Sequence, residues 1–162
     1  MSAVDKRALI AALRDEIERS IAVNTRAAHE ARAAATHEEA KPENDKDTRA
    51  LEAGYLAGAQ AERVRELARV VAELSALPLK RFTEADAISA SALIELDHDG
   101  ASQWYFLAPQ GGGMRVRVGG VEVQVITPPS PLGRELLGKS VGDEIEVRAQ
   151  GAVRRYEIVS VA

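Results

Sequence analysis

Thr36-His37-Glu38-Glu39-Ala40-Lys41-Pro42-Glu43-Asn44-Asp45-Lys46-Asp47 decides how the first half of this chain folds. It separates two long alanine-rich segments and holds Pro42, the only proline before Pro78. Proline lacks the N–H that a helix interior needs and clashes with the preceding turn, so it interrupts whatever helix leads into it. The flanking segments are therefore two helices rather than one. So short an interruption favours a hairpin, with its turn near Lys41–Asp45, over pairing with a second chain. Asn44 is placed to cap the second helix, with Asp47 in its first turn, where the helix dipole favours a carboxylate. The stretch carries five carboxylates, Glu38, Glu39, Glu43, Asp45 and Asp47, more than capping requires. The hairpin is expected to present them as an exposed acidic tip near residues 36–47.

The flanking segments support this. No glycine or proline falls between Asp5 and Thr36, and Ile10, Leu13, Ile17, Ser20, Asn24, Ala27, Ala31 and Ala34 recur at three- and four-residue spacing. That spacing lines one helix face. About 32 residues at 1.5 Å each make a helix on the order of 48 Å long. Asn24 on the seam is a candidate for fixing register. From about Thr48 to Ala76 a second stripe follows Ala50, Gly54, Ala57, Ala61, Val64, Ala68, Val71 and Ser75, widened by Leu67, Val70 and Leu74. Small residues oppose small ones near the tip and large oppose large near the base, as an antiparallel coiled coil requires. Arg26, Arg32, Arg49, Arg63 and Arg65 are interleaved with acids and read as a solvated face, although basic residues there could meet RNA phosphates.

After Leu77-Pro78-Leu79 the period changes. Ser91–Leu96 and Gln103–Leu107 read as strands around an Asp97-His98-Asp99-Gly100 turn. Met114–Val118 and Val121–Ile126 form a second hairpin around Gly119-Gly120. Asp143–Arg148 and Tyr156–Val161 pair across Gln150-Gly151, and Arg134–Leu137 allows one helical turn. The expected fold class is α+β: a helical hairpin over 1–78 and a small, mostly antiparallel β domain over 79–162. Trp104, Tyr105 and Phe106 hold three of the six aromatics; alternation sends at least two into the core.

Several chemistries are disfavoured. Without cysteine there is no disulfide, thiolate metal site or cysteine nucleophile. Gly111-Gly112-Gly113 is followed by Met114-Arg115, not by the Lys-Ser/Thr of a phosphate loop. His29 and His37 lack the spacing of a zinc helix site, although a divalent ion beside His37, Glu38 and Glu39 is conceivable. His98 reads as a solvated turn residue, and Ser130 has no histidine placed as a base. A net charge of −4 gives no overall attraction to nucleic acid. The N-terminus has no signal-like apolar run, and no stretch approaches the roughly 18 apolar residues of a membrane span. A cytoplasmic protein without membrane contact is expected.

The most specific segment is Ser130-Pro131-Leu132-Gly133-Arg134-Glu135-Leu136-Leu137-Gly138-Lys139, followed by Val141-Gly142-Asp143-Glu144-Ile145-Glu146-Val147 and the ending Arg155-Tyr156-Glu157-Ile158-Val159-Ser160-Val161. It resembles the C-terminal domain of the Gre (GreA/GreB) transcript-cleavage and elongation factors, where S-P-[LI]-[GA]-R-x-L-[LI]-G-K precedes a V-G-D-E strand. The order of parts, helical hairpin then FKBP-like domain, is also that of the family. The resemblance implies a monomer that binds bacterial RNA polymerase at its secondary channel, with Ser130, Pro131, Leu132, Gly133 and Arg134 near the contact. It implies that tip carboxylates, here among Glu39, Glu43 and Asp45, assist catalysis, with Glu39 and Glu43 helping to hold a Mg²⁺ at the polymerase active site. Nascent RNA would be met only indirectly. No tightly bound cofactor and no enzymatic activity of the chain's own are expected.

The tip departs from the family's G-D-[LI]-S/K-E-N. Lys41-Pro42-Glu43-Asn44 overlays its second half and puts Glu43 on the acidic glutamate, while Ala40 falls on the aspartate, with Glu39 adjacent. Pro109–Val125 also replaces the family's acidic loop. Three readings follow: a factor that stimulates the polymerase's own RNA cleavage, a channel-binding regulator without cleavage, and a coiled-coil interaction protein with a recycled FKBP-like domain.

Overall fold

The computed structural model describes residues 4–39 and 46–162. Two long helices come first, α1 (Lys6–Glu39) and α2 (Lys46–Ala76). Asp5 caps α1, its Oδ1 accepting from the Arg7 N–H at 2.9 Å. The chain forms two compact units, Asp15–Ala72 and the combination of Met1–Arg14 with Glu73–Ala162.

In the helical unit, Ile17, Ala31 and Ala35 of α1 and Ala50, Ala57 and Leu67 of α2 are buried. The seam differs from the expected one in phase. On α2, Gly54 and Ala68 are exposed, while Ala53 and Gln60 turn partly inward and Leu67 fully so. The buried series 50, 53, 57, 60, 64, 67 alternates steps of three and four, the repeat of a coiled-coil seam. Burying Leu67 removes far more apolar surface than burying Ala68 would, which decides the phase. On α1 the same adjustment replaces Ala34 by Ala35. Asn24 spends its amide on its own helix, donating to the Ser20 carbonyl at 2.8 Å. Arg63 and Arg65 pair with Glu66 and Glu62, one turn away on the same helix.

The other unit is a six-stranded sheet with β1 (Leu93–His98), β2 (Ala101–Leu107), β3 (Arg115–Val118), β4 (Val121–Ile126), β5 (Glu144–Ala149) and β6 (Ala152–Val161), plus the short helix α3 (Pro131–Leu136). Its order is β3-β4-β2-β1-β6-β5. Three of its connections are two-residue hairpins, at Asp99-Gly100, Gly119-Gly120 and Gln150-Gly151, each with positive φ at both positions. That is the turn whose twist matches paired strands.

The sheet is mostly antiparallel, as expected, with one parallel pair: β2 and β4 run parallel, with Trp104 opposite Val123 and Leu107 opposite Ile126. The chain leaves β2, passes over the place β4 will take, forms edge strand β3, and returns as β4 between them. Gly111 and Gly113, both at positive φ, make that crossing. A Cβ on Gly112 would stand 3.0 Å from Thr127 Cγ2. The triple glycine is thus a packed crossover loop.

Side-chain alternation gives the sheet two faces. One carries Leu93, Phe106, Val123 and Val125, all fully buried. Leu74 from the last turn of α2 reaches it: Leu74 Cδ1 and Val125 Cγ1 lie 3.7 and 3.8 Å from the space beside Gly111. The other face carries Ile94, Leu96, Tyr105, Leu107, Ile126, Tyr156 and Ile158 in one cluster with Leu136 of α3. Lys6 ties the start of α1 to this unit. Its ammonium donates to the Ser91 carbonyl at 2.8 Å and to the Lys80 carbonyl, and lies 4.7 Å from the Phe82 ring centre. Burial lowers its pKa to about 8.

Candidate functional site

The segment Ser130–Arg134 is built by the first turn of α3. Ser130 is its N-cap: Oγ accepts from the Gly133 N–H at 3.0 Å and donates to the Thr127 carbonyl at 2.7 Å. Pro131 takes the first helical position, where its missing N–H costs nothing. Gly133 is buried, and a Cβ there would fall 2.0 Å from the Thr127 carbonyl oxygen. Glycine is therefore required by the turn itself. The far end of α3 is pinned by the Ile88 N–H donating to the Lys139 carbonyl at 2.7 Å and the Gly138 N–H donating to the Ile88 carbonyl at 2.9 Å.

These contacts divide the five sequence-selected residues. Ser130 and Gly133 serve the turn; Pro131 and Arg134 are exposed and Leu132 partly so. The turn therefore presents Pro131, Leu132 and Arg134, an apolar knuckle beside one positive charge.

Beside that knuckle opens a cleft of about 820 Å³ that the sequence did not disclose. Its walls include Gln103 and Tyr105 of β2, Arg115 of β3, Leu132 of α3, Val147 of β5 and Arg154 of β6. The same sheet face that is apolar under α3 turns polar here. The Tyr105 hydroxyl donates to Gln103 Oε1 at 2.6 Å. Burial pushes that hydroxyl above the ordinary tyrosine range, while the Arg115 and Arg154 charges pull it the other way. Arg115 makes a 3.5 Å contact with Glu122. Among the aromatics, Tyr105 and Phe106 are buried on opposite faces of the sheet and Trp104 is half-buried, so two of the three are in the core, as expected. His98 is not simply solvated. Its Nδ1 lies 2.8 Å from the Arg155 carbonyl oxygen and its ring lies tilted by 37° against Tyr156, with centroids 4.9 Å apart.

Glu43 and Asp45 lie outside the described residues, as do the side chains of Glu38, Glu39 and Asp47, although Glu39 ends α1 and Asp47 is the second residue of α2.

The turn, strands β4, β5 and β6 and part of the cleft's lining fall within one recognised sequence. The family described as "Transcription elongation factor, GreA/GreB, C-term" matches residues 119–162, which run from Gly119 through the capped Ser130–Arg134 turn to the end of β6. Residues 119–162 are similar to the C-terminal domain of the Gre factors. Transcription elongation factor GreA of Thermotoga neapolitana is 50% identical over 38 residues, 24% of each chain. Transcription elongation factor GreA of Bartonella tribocorum is 31% identical over 100 residues, 61% of this chain and 60% of that one. The matched segments thus span 24% to 60% of the length of these curated relatives. The crystal structure of GreA factor homolog 1 (Gfh1) of Thermus thermophilus aligns over 92% of this chain and 94% of that one, at 16% identity and a TM-score of 0.39. The chain joins two long N-terminal helices to a mixed sheet domain. No described helix is long and apolar enough to cross a membrane.

Proposed function

We propose that this protein is a transcription elongation factor that binds bacterial RNA polymerase at the secondary channel and stimulates the polymerase's own cleavage of backtracked RNA. The observation that carries the reading is the Ser130–Arg134 turn inside the Gre-family match, folded so that Pro131 and Arg134 are exposed while Leu132, half-buried, packs against the core. An exposed knuckle on a pinned helix is a rigid contact, and rigidity lowers the entropy lost on docking. In this reading the acidic stretch between the two helices would act at the enzyme's reacting centre.

Carboxylates suit the chemistry there. Mg²⁺ takes oxygen ligands, and a phosphodiester hydrolysis assisted by two metals gains from side chains that hold a weakly bound ion. Glu39 and Glu43 would contribute such ligands, with Asp45 as a further candidate. The nucleophile, the first metal and the RNA all belong to the polymerase complex, so the chain acts as a cofactor protein rather than an enzyme.

One observation favours a second reading. Ala40 stands where the family's tip aspartate falls, which removes one ligand from that arrangement. A factor so altered would occupy the channel and modulate transcription without promoting cleavage.

The two readings separate in a stalled, backtracked elongation complex supplied with Mg²⁺. Rapid shortening of the transcript on adding the protein, abolished by Glu43→Ala while polymerase binding persists, is the expected result. An intact transcript with binding retained would replace the cleavage reading by the second, and failure to bind would defeat both.

A further inference from the structure

We propose that the cleft beside Pro131 receives a carboxylate-bearing segment of the polymerase, its acid held by Arg115 and Arg154. This deepens the docking reading above and rests on it.

The charge pattern of the cleft is the first ground. The chain has a net charge of −4, yet this cleft gathers two arginines against one glutamate, Glu122. The arginines come from strands far apart in the sheet order, β3 at one edge and β6 beyond β1, and both line the same opening. On β6 the neighbouring arginine is already satisfied: Arg155 contacts Glu146 at 3.5 Å, a carboxylate also held by Arg148 of β5 at 3.1 Å. Among the described residues the Arg154 side chain makes no hydrogen bond or ion pair, and its charge acts on the Tyr105 hydroxyl. Its exposed guanidinium is held at the cleft by strand alternation, on the same side as Tyr156.

The shape of the cleft is the second ground. A space of about 820 Å³ lies within the range of sites that enclose a ligand or several side chains. Leu132 and Val147 supply apolar wall, and Gln103 with the Tyr105 hydroxyl supplies neutral polar groups. Such a mixture suits a peptide segment with one acidic and one apolar side chain. A guanidinium matches a carboxylate in two parallel hydrogen bonds. Glu122, 3.5 Å from Arg115, disfavours a doubly charged phosphate at the same place. The cleft is also continuous with the exposed knuckle, since Ser130, Pro131 and Leu132 form its lip. One partner surface would therefore meet both.

The test measures affinity of the protein for purified core RNA polymerase and for a stalled elongation complex, using wild type, Arg154→Glu, Arg115→Glu, Arg154→Lys, Arg148→Glu and Pro131→Asp. The first two are expected to bind core enzyme about tenfold more weakly, as removal of a paired interfacial charge does. Arg154→Lys, which keeps the charge, should lose less. Arg148→Glu carries the same change in net charge outside the cleft and should stay near wild type. Circular dichroism of each variant confirms folding. Equal affinities for Arg154→Glu and Arg148→Glu would overturn the cleft proposal while leaving the docking reading intact, provided Pro131→Asp abolishes binding. A loss confined to the elongation complex would assign the arginines to RNA phosphates and overturn it as well. If wild type binds neither species, the docking reading itself falls.

Discussion

Gly133 shows how a recognisable motif can be structural and functional at once. Its buried Cα leaves 2.0 Å between a notional Cβ and the Thr127 carbonyl oxygen, a backbone atom that cannot swing aside. Gly133→Ala should therefore displace the Ser130 cap and lower stability by about 1–3 kcal/mol, the usual cost of overpacking. Urea denaturation followed by circular dichroism measures this, and a change below about 0.5 kcal/mol, the range of neutral surface substitutions, would show that the turn is not so constrained. Lys6 yields a second prediction. Burial holds its folded pKa at about 8, below the ordinary 10.5, so between these values the unfolded chain binds more protons than the native one. Stability attributable to Lys6 then rises as pH increases from about 8 to 10.5, with its burial cost fully present below pH 8. The difference in urea midpoint between wild type and Lys6→Met should shift in favour of wild type across that window. A shift the other way would mean that the carbonyl acceptors and the Phe82 ring outweigh desolvation.

At the level of elements, short-range chemistry was legible and long-range pairing was not. Asp99-Gly100, Gly119-Gly120 and Gln150-Gly151 announce three hairpins because few residues other than glycine, asparagine and aspartate tolerate their backbone angles. The parallel β2–β4 pair is silent in sequence, because it depends on the chain crossing over at 108–114 rather than on any residue in the strands. The cleft was missed for the same reason. Gln103, Arg115 and Arg154 are far apart in the chain, and only the curled sheet brings them together. Alternation did mark Gln103 and Tyr105 as one face, which was the only available signal. The helical seam was legible in period but not in phase, since alanine is abundant enough to draw two stripes one residue apart. Leu67 against Ala68 settles the matter: Leu67→Ala should destabilise the hairpin by about 2–5 kcal/mol, while Ala68→Glu stays within about 0.5 kcal/mol. Thermal and urea melts of the two variants provide the measurement, and the reverse order would restore the seam through Ala68.

Across the whole molecule, the sequence and the fold divide the functional burden between two regions. The C-terminal domain carries the recognisable turn and an arginine-lined cleft on an otherwise acidic protein. The hairpin carries the carboxylates, whose roles rest on chemistry and on the resemblance alone. Docking is thus the step on which the account depends, because neither cleavage nor channel occupancy follows without it. The direct measurement is photo-crosslinking from a benzoylphenylalanine placed at Leu132, the partly exposed residue of the knuckle, with purified core RNA polymerase. The expected result is a specific crosslink to the enzyme that Pro131→Asp in the same protein removes. A folded protein that gives no crosslink, or one indifferent to Pro131→Asp, would contradict it.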